Sequence, residues 1–113
     1  MIYDMRTYDL QLGAVQKYMD AVRDVALPIR EDYGIKLAGW YSTDIGELNR
    51  VVHIWAYKDY AHFAEARQQV RNDPRWANDY LPRTKGLIIK QQDAIMAGSD
   101  FWEERFLGNQ AGA

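Results

Sequence analysis

The stretch LNRVVHIWAYKD, residues 48–59, decides how this chain is to be read. Its alternation is that of a β-strand, because successive side chains of a strand point to opposite faces. Val52, Ile54 and Ala56 fall on one side; Asn49, Val51, His53, Trp55 and Tyr57 fall on the other. A strand with one face in water carries plain polar residues there, and here neither side does. The two rows differ in kind: one is small and aliphatic, the other large, aromatic and hydrogen-bonding. Both therefore call for cover. The expectation is that the aliphatic row lies under helices and the aromatic row faces a second interior.

Immediately upstream, KLAGWYSTDIGE (residues 36–47) completes a hairpin with this strand, its turn around Asp44–Glu47, where Asp and Gly supply turn chemistry. A loop centred on Ile45 and Gly46 opposes Ser42 to Asn49, Trp40 to Val51 and Ala38 to His53. Opposed residues share a face, so Trp40 and Ser42 join the aromatic row. Residues 2–9 alternate as the first strand, with Tyr3, Met5 and Thr7 on one face and Asp4, Arg6 and Tyr8 on the other. After Gly13 the period becomes helical: Val15, Tyr18, Met19, Val22, Val25, Ala26, Ile29 and Tyr33 recur at steps of three and four. Pro28 lies inside that period and predicts a kink or break near Val25–Pro28, with Gly34 as the C-terminal cap.

Asp59 suits the N-cap of a second helix that carries Tyr60, Phe63, Ala64, Arg67 and Val70 on one face. Asp73 and Pro74 start a short helix through Trp76 to Leu81, stopped near Pro82. KGLIIKQQDAIM (residues 85–96) is the last strand, and Asp100 with Glu103 can box a final helix in the tail. The order β-α-β-β-α-β is the ferredoxin-like arrangement, an α+β fold with a four-stranded sheet and both helices on one face. The other face needs a partner, and a second copy of the same sheet is the simplest one. Residues 1–97 form the domain and 98–113 the tail.

The matching segments YDMRTYDLQLGAVQKYM, GWYSTDIGELNRVVHIWAYKDYAHFAEAR, DPRWANDYL and IIKQQDAIM resemble the NIPSNAP family of the dimeric α/β-barrel superfamily. They cover nearly all of the chain up to about residue 97. The resemblance implies a homodimer in which two sheets close face to face into a barrel; it implies no defined reaction.

Composition narrows the function classes. The chain has 113 residues, a net charge of −2 with both signs scattered, and no cysteine. That balance argues against a nucleic-acid partner, and the missing cysteine excludes disulfides and thiolate chemistry. No apolar run approaches the about 18–20 residues that span a bilayer. The first strand begins at Ile2, leaving no room ahead of it for a leader, so a cytoplasmic protein is expected. Only His53 and His62 are available as histidine ligands, without metal-binding spacing, so no metal and no cofactor is expected. Four Trp and eight Tyr are many for this length and suit a cavity with apolar walls and a few polar groups. The expected ligand is a small hydrophobic or aromatic molecule inside the barrel, held by Arg6, Tyr8, Trp40, Asn49, Trp55 and Tyr57. The competing expectation is a cofactor-independent enzyme, monooxygenase-like or isomerase-like, with His53 as the acid–base residue. The superfamily also includes haem-degrading proteins, a third and weaker possibility.

Overall fold

In the computed structural model, which describes residues 1–112, four strands form one antiparallel sheet in the order β2-β3-β1-β4. The strands are β1 (Ile2–Leu10), β2 (Lys36–Ser42), β3 (Arg50–Tyr57) and β4 (Ile88–Ala97). Between β1 and β2 lie α1 (Val15–Ala21), a π-helical turn (Val22–Ala26) and α2 (Leu27–Asp32). Between β3 and β4 lie α3 (Tyr60–Asn72), a second π-helical turn (Trp76–Tyr80) and α4 (Leu81–Thr84), and α5 (Asp100–Gly112) ends the chain. The ferredoxin-like architecture is thus present. Ala113, the last position of the predicted tail, lies outside the described residues.

Three helix boundaries follow from local chemistry. Asp59 caps α3 by accepting the His62 backbone N–H at 2.8 Å. Asp73 accepts the Arg75 N–H at 3.0 Å, and Pro74 occupies the first helical position beyond it. After α2 the Ile35 N–H bonds the Arg30 carbonyl and the Gly34 N–H that of Glu31, with Gly34 at φ +78°. That pair of bonds is the Schellman stop, which requires the left-handed conformation glycine adopts without penalty.

The prolines act differently from a simple stop. Each π turn ends one residue before a Leu-Pro pair, Leu27-Pro28 in one case and Leu81-Pro82 in the other. The Leu N–H reaches back to the first residue of its turn, Val22 or Trp76. Widening the turn by one residue makes room where the proline ring would clash and where its missing N–H leaves a carbonyl free. The short helix begun at Asp73 and Pro74 therefore does not end near Pro82, as the sequence suggests, but continues to Thr84.

The predicted assignment of the two sheet faces is reversed in the structure. Val51, His53, Trp55 and Tyr57 are buried beneath the helices, in one core with Tyr8, Tyr18, Ala21, Val22, Val25, Ala26 and Ile29. Val52 and Ile54 lie on the opposite, open face, beside Met5 and Thr7. The reason is volume. The first helical segment offers mostly small side chains, so the strands must supply the bulk that fills the space between layers at native density. Trp40 does share the aromatic face, but it pairs with His53 rather than Val51 because the loop is longer than expected; beyond Trp40 a bulge at Ala38 shifts the register again.

At one end the open face is not bare. Phe106 of α5 packs on Tyr3 and Ala56, its ring 6.1 Å from that of Tyr3. Beyond α5 the face presents Met5, Thr7, Val52, Ile54 and Ala94, a mostly apolar strip at the centre of the sheet.

Candidate functional site

β4 lies beyond the reach of the helical layer and is exposed along most of its length. Where the layers part, a cavity of about 230 Å³ opens between sheet and helices. Arg6 and Tyr8 of β1 and Gln91 of β4 form its floor. Tyr57, Trp76 and Tyr80 supply aromatic walls, and Arg30, Arg67 and Arg71 come from α2 and α3. The second π turn sets part of this wall. It stacks Trp76 on Tyr80 at 4.2 Å and turns the Tyr80 hydroxyl into the core, 3.1 Å from that of Tyr18.

Four arginines line the cavity and no carboxylate does. They differ in how their charge is met. Arg6 donates through one terminal nitrogen to Asp4 at 2.9 Å, with Asp93 at 3.5 Å, and through Nε to the Tyr8 hydroxyl at 2.6 Å. Arg67 lies over the Phe63 ring at 4.9 Å. Arg30 is only 7% exposed, stands 4.4 Å over the Trp55 ring and 5.8 Å from that of Trp76, and its Nε has no partner. Among the described residues no side chain hydrogen-bonds or ion-pairs with its guanidinium. The nearest acidic neighbour, Asp4, is committed to Arg6 through Oδ2 while its Oδ1 remains unpartnered. Burial raises the Asp4 carboxyl above its ordinary range, and Arg6 pulls in the other direction.

His53 sits behind the wall and not in it. Its Nδ1 accepts the Trp55 indole N–H at 2.7 Å, so the ring proton belongs on Nε2, which is buried without a partner. The ring stacks on Trp40 and meets Tyr8 edge-on at 4.9 Å. Burial, reinforced by the positive charges of Arg30 and Arg6, pushes its pKa down to about 2 and keeps it neutral. The cavity-lining Tyr8, Tyr57 and Tyr80 are all raised by burial, so each is a protonated hydroxyl at neutral pH.

The residues singled out from sequence are thus divided. Arg6, Tyr8 and Tyr57 line the cavity. Trp55 forms the platform beneath Arg30, and Trp40 packs in the core with its indole nitrogen unpartnered. Asn49 stands apart in the hairpin loop at φ +64°, where its side chain accepts the Gly13 N–H at 3.1 Å. His62 ties two helices together, accepting the Lys58 N–H and reaching the Tyr33 carbonyl at 2.9 Å. Among the described residues no group of acidic or histidine side chains is placed to hold a metal ion, and no helix is long and apolar enough to cross a membrane.

Trp76 and Tyr80, which the sequence suggests as a lid over one end of the barrel, line this cavity instead, and Arg30, Arg67 and Arg71 are cavity residues that the sequence assigns to no site. Arg30 had a signal. Val22, Ala26 and Arg30 lie four apart, which puts an arginine on the apolar face of a core helix.

Comparison with known proteins gives the family. The NIPSNAP family model matches residues 3–101. The chain is 31% identical over 94 residues to the human protein NipSnap homolog 3B, covering 82% of this chain and 37% of that one. It thus spans well under half the length of the curated relatives it matches. A crystal structure of a NIPSNAP family protein of unknown function from Agrobacterium tumefaciens is 36% identical, with a TM-score of 0.80 over 89% of this chain and 90% of that one. A dimeric ferredoxin-like protein from an uncultured marine organism shares the fold alone, at 10% identity and a TM-score of 0.65 over 88% of this chain and 95% of that one.

Proposed function

The chain belongs to the NIPSNAP family, and on that premise we propose that it is a homodimeric binding protein with one ligand cavity in each protomer. The two copies meet through the open sheet face, closing a barrel around Met5, Thr7, Val52, Ile54 and Ala94. Small-molecule binding, expected from sequence inside that barrel, is relocated here to the space between sheet and helices. The observation that carries this reading is the cavity of about 230 Å³ with Tyr8, Tyr57, Trp76 and Tyr80 around it. Apolar and aromatic walls with a few convergent polar groups are what a small-molecule site requires. The volume is below the usual range of about 300–1,000 Å³ for such sites, which favours a compact ligand with a single ring or a short chain.

The competing reading is a cofactor-independent enzyme that uses His53 as acid or base. It fits less well, because His53 is held neutral and lies behind the cavity wall. In the binding reading His53 supports Trp55, and Trp55 supports the cavity.

Native mass spectrometry of freshly purified protein tests dimer and ligand together. The expected spectrum shows a dimer that retains up to two small molecules, with the same occupancy in His53→Gln. A monomer at micromolar concentration would remove the dimer. Turnover of a retained molecule by the wild type but not by His53→Gln would favour the enzyme.

A further inference from the structure

We infer that the cavity selects a compact carboxylic acid, and that Arg30 is the residue that binds its carboxylate. The inference rests on the cavity being a ligand site and names the chemical class of that ligand.

The side chain of Arg30 is more than nine-tenths buried, borders the cavity, and meets no anion among the described residues. A guanidinium cannot escape this position by losing its proton, since arginine remains charged in proteins. An uncompensated buried cation is costly, and such groups are ordinarily paired. The rings of Trp55 and Trp76 offset only part of that cost. They also restrict the guanidinium, leaving an in-plane edge as the place for a partner. Its Nε is buried without a partner, which leaves the terminal nitrogens as the donors a planar carboxylate can take in a two-point fork.

The surroundings ask for the same charge. Arg67 and Arg71 border the same cavity from adjacent turns of α3, and no acidic side chain lines it. Asp4 and Asp93 ion-pair with Arg6, and neither lines the cavity. The Tyr8 hydroxyl accepts from Arg6 and so keeps its own proton for donation. A lining with four cationic donors and no carboxylate matches a carboxylate ligand, which is acceptor-only when ionised. The aromatic walls hold the rest of the ligand.

The test uses matched probes on the full-length protein at fixed pH and salt, by calorimetry: phenylacetate, its neutral isostere phenylacetamide, and phenyl phosphate. Each is titrated into wild type, Arg30→Gln and Arg30→Lys, with circular dichroism confirming that the variants are folded. Phenylacetate is expected to bind about 10- to 100-fold more tightly than phenylacetamide, as a hydrogen-bonded charge pair would give. Arg30→Gln should erase that preference, while Arg30→Lys should restore part of it. Equal affinity for acid and amide would overturn the inference while leaving the cavity a binding site. So would an acid preference that survives Arg30→Gln, or tighter binding of phenyl phosphate than of the acid. If none of the three probes binds, both the inference and the binding reading fall.

Discussion

Replacing Arg30 by Met should cost the ligand-free protein no more than about 1 kcal/mol and at best stabilise it by about 2 kcal/mol. The wild-type side chain is 7% exposed, its Nε is unpartnered, and its favourable electrostatic contacts are the indole rings of Trp55 at 4.4 Å and Trp76 at 5.8 Å. A desolvated cation over an indole contributes about 2 kcal/mol. Exchanging buried ionic groups for apolar ones of similar shape commonly gains about 1–4 kcal/mol. Met keeps an unbranched apolar stem that packs adaptably. The difference runs from about 1 kcal/mol against the variant to about 2 kcal/mol in its favour. At about 4 °C per kcal/mol for a domain of this size, the melting temperature should fall by no more than about 4 °C and rise by up to about 8 °C. The assay is thermal and urea unfolding of protein dialysed free of small molecules, at one protein concentration because a dimer's melting temperature depends on it. Added phenylacetate should stabilise the wild type and not Arg30→Met. A fall of about 12 °C or more in the ligand-free variant, the about 3–5 kcal/mol lost on breaking a buried pair, would refute the reasoning, since it would mean that Arg30 is already well paired in the empty protein.

Three further outcomes follow from the same geometry. His53 is neutral in the fold, its pKa pushed down to about 2 by burial first and by Arg30 and Arg6 after it, whereas in the unfolded chain it protonates near about 6.5. The unfolded state therefore binds more protons below that pH, so the His53 contribution is complete above about 6.5 and is lost as pH falls, by up to about 1.4 kcal/mol per unit. Asp4, raised by burial, acts in the opposite sense nearer its own range; urea titrations between pH 6.5 and 5 should thus show a slope that His53→Gln flattens, and an unchanged slope would contradict the burial of a neutral ring. Trp55→Phe deletes the indole N–H that His53 accepts at 2.7 Å, and the orphaned buried acceptor should cost about 1–3 kcal/mol, read as a lower urea midpoint; no change would mean that the bond does not persist in solution. Phe106→Ala removes the ring that covers Tyr3 and stacks on Trp102; α5 should loosen before the sheet does, seen as faster amide exchange confined to α5, and unchanged protection there would contradict the docking.

Much of this architecture is legible in the residues, and the failures are instructive. Strand parity, the Gly34 stop and the Asp59 and Asp73 caps each rest on the chemistry of one or two neighbouring positions, and each is found where expected. Alternation pairs Tyr8 with His53 and Trp55 correctly, but it cannot say which row the helices cover. That choice depends on the size of what faces it, and the small residues Ala21, Val22 and Ala26 of the first helical segment decide it. The hairpin register differs by two residues at Trp40 because the loop is longer than its turn residues suggest, and the bulge at Ala38 beyond it leaves no mark in an alternating pattern. The second proline was read as a stop, whereas the chain widens into a π turn and goes on. Arg30 was passed over because its neighbours in IREDY are polar, although its helical spacing from Ala26 places it inward.

The central claim is that ligand binding belongs to the space between sheet and helices and is centred on Arg30. Side-chain Nε–Hε correlation spectra of the arginines, recorded while phenylacetate is added, test it most directly. The Arg30 signal, assigned by its loss in Arg30→Lys, should move in a saturable way, with smaller shifts for Arg6, Arg67 and Arg71. An Arg30 signal that stays fixed while backbone amides of the open face, at Thr7, Val52 and Ile54, respond instead would contradict the account.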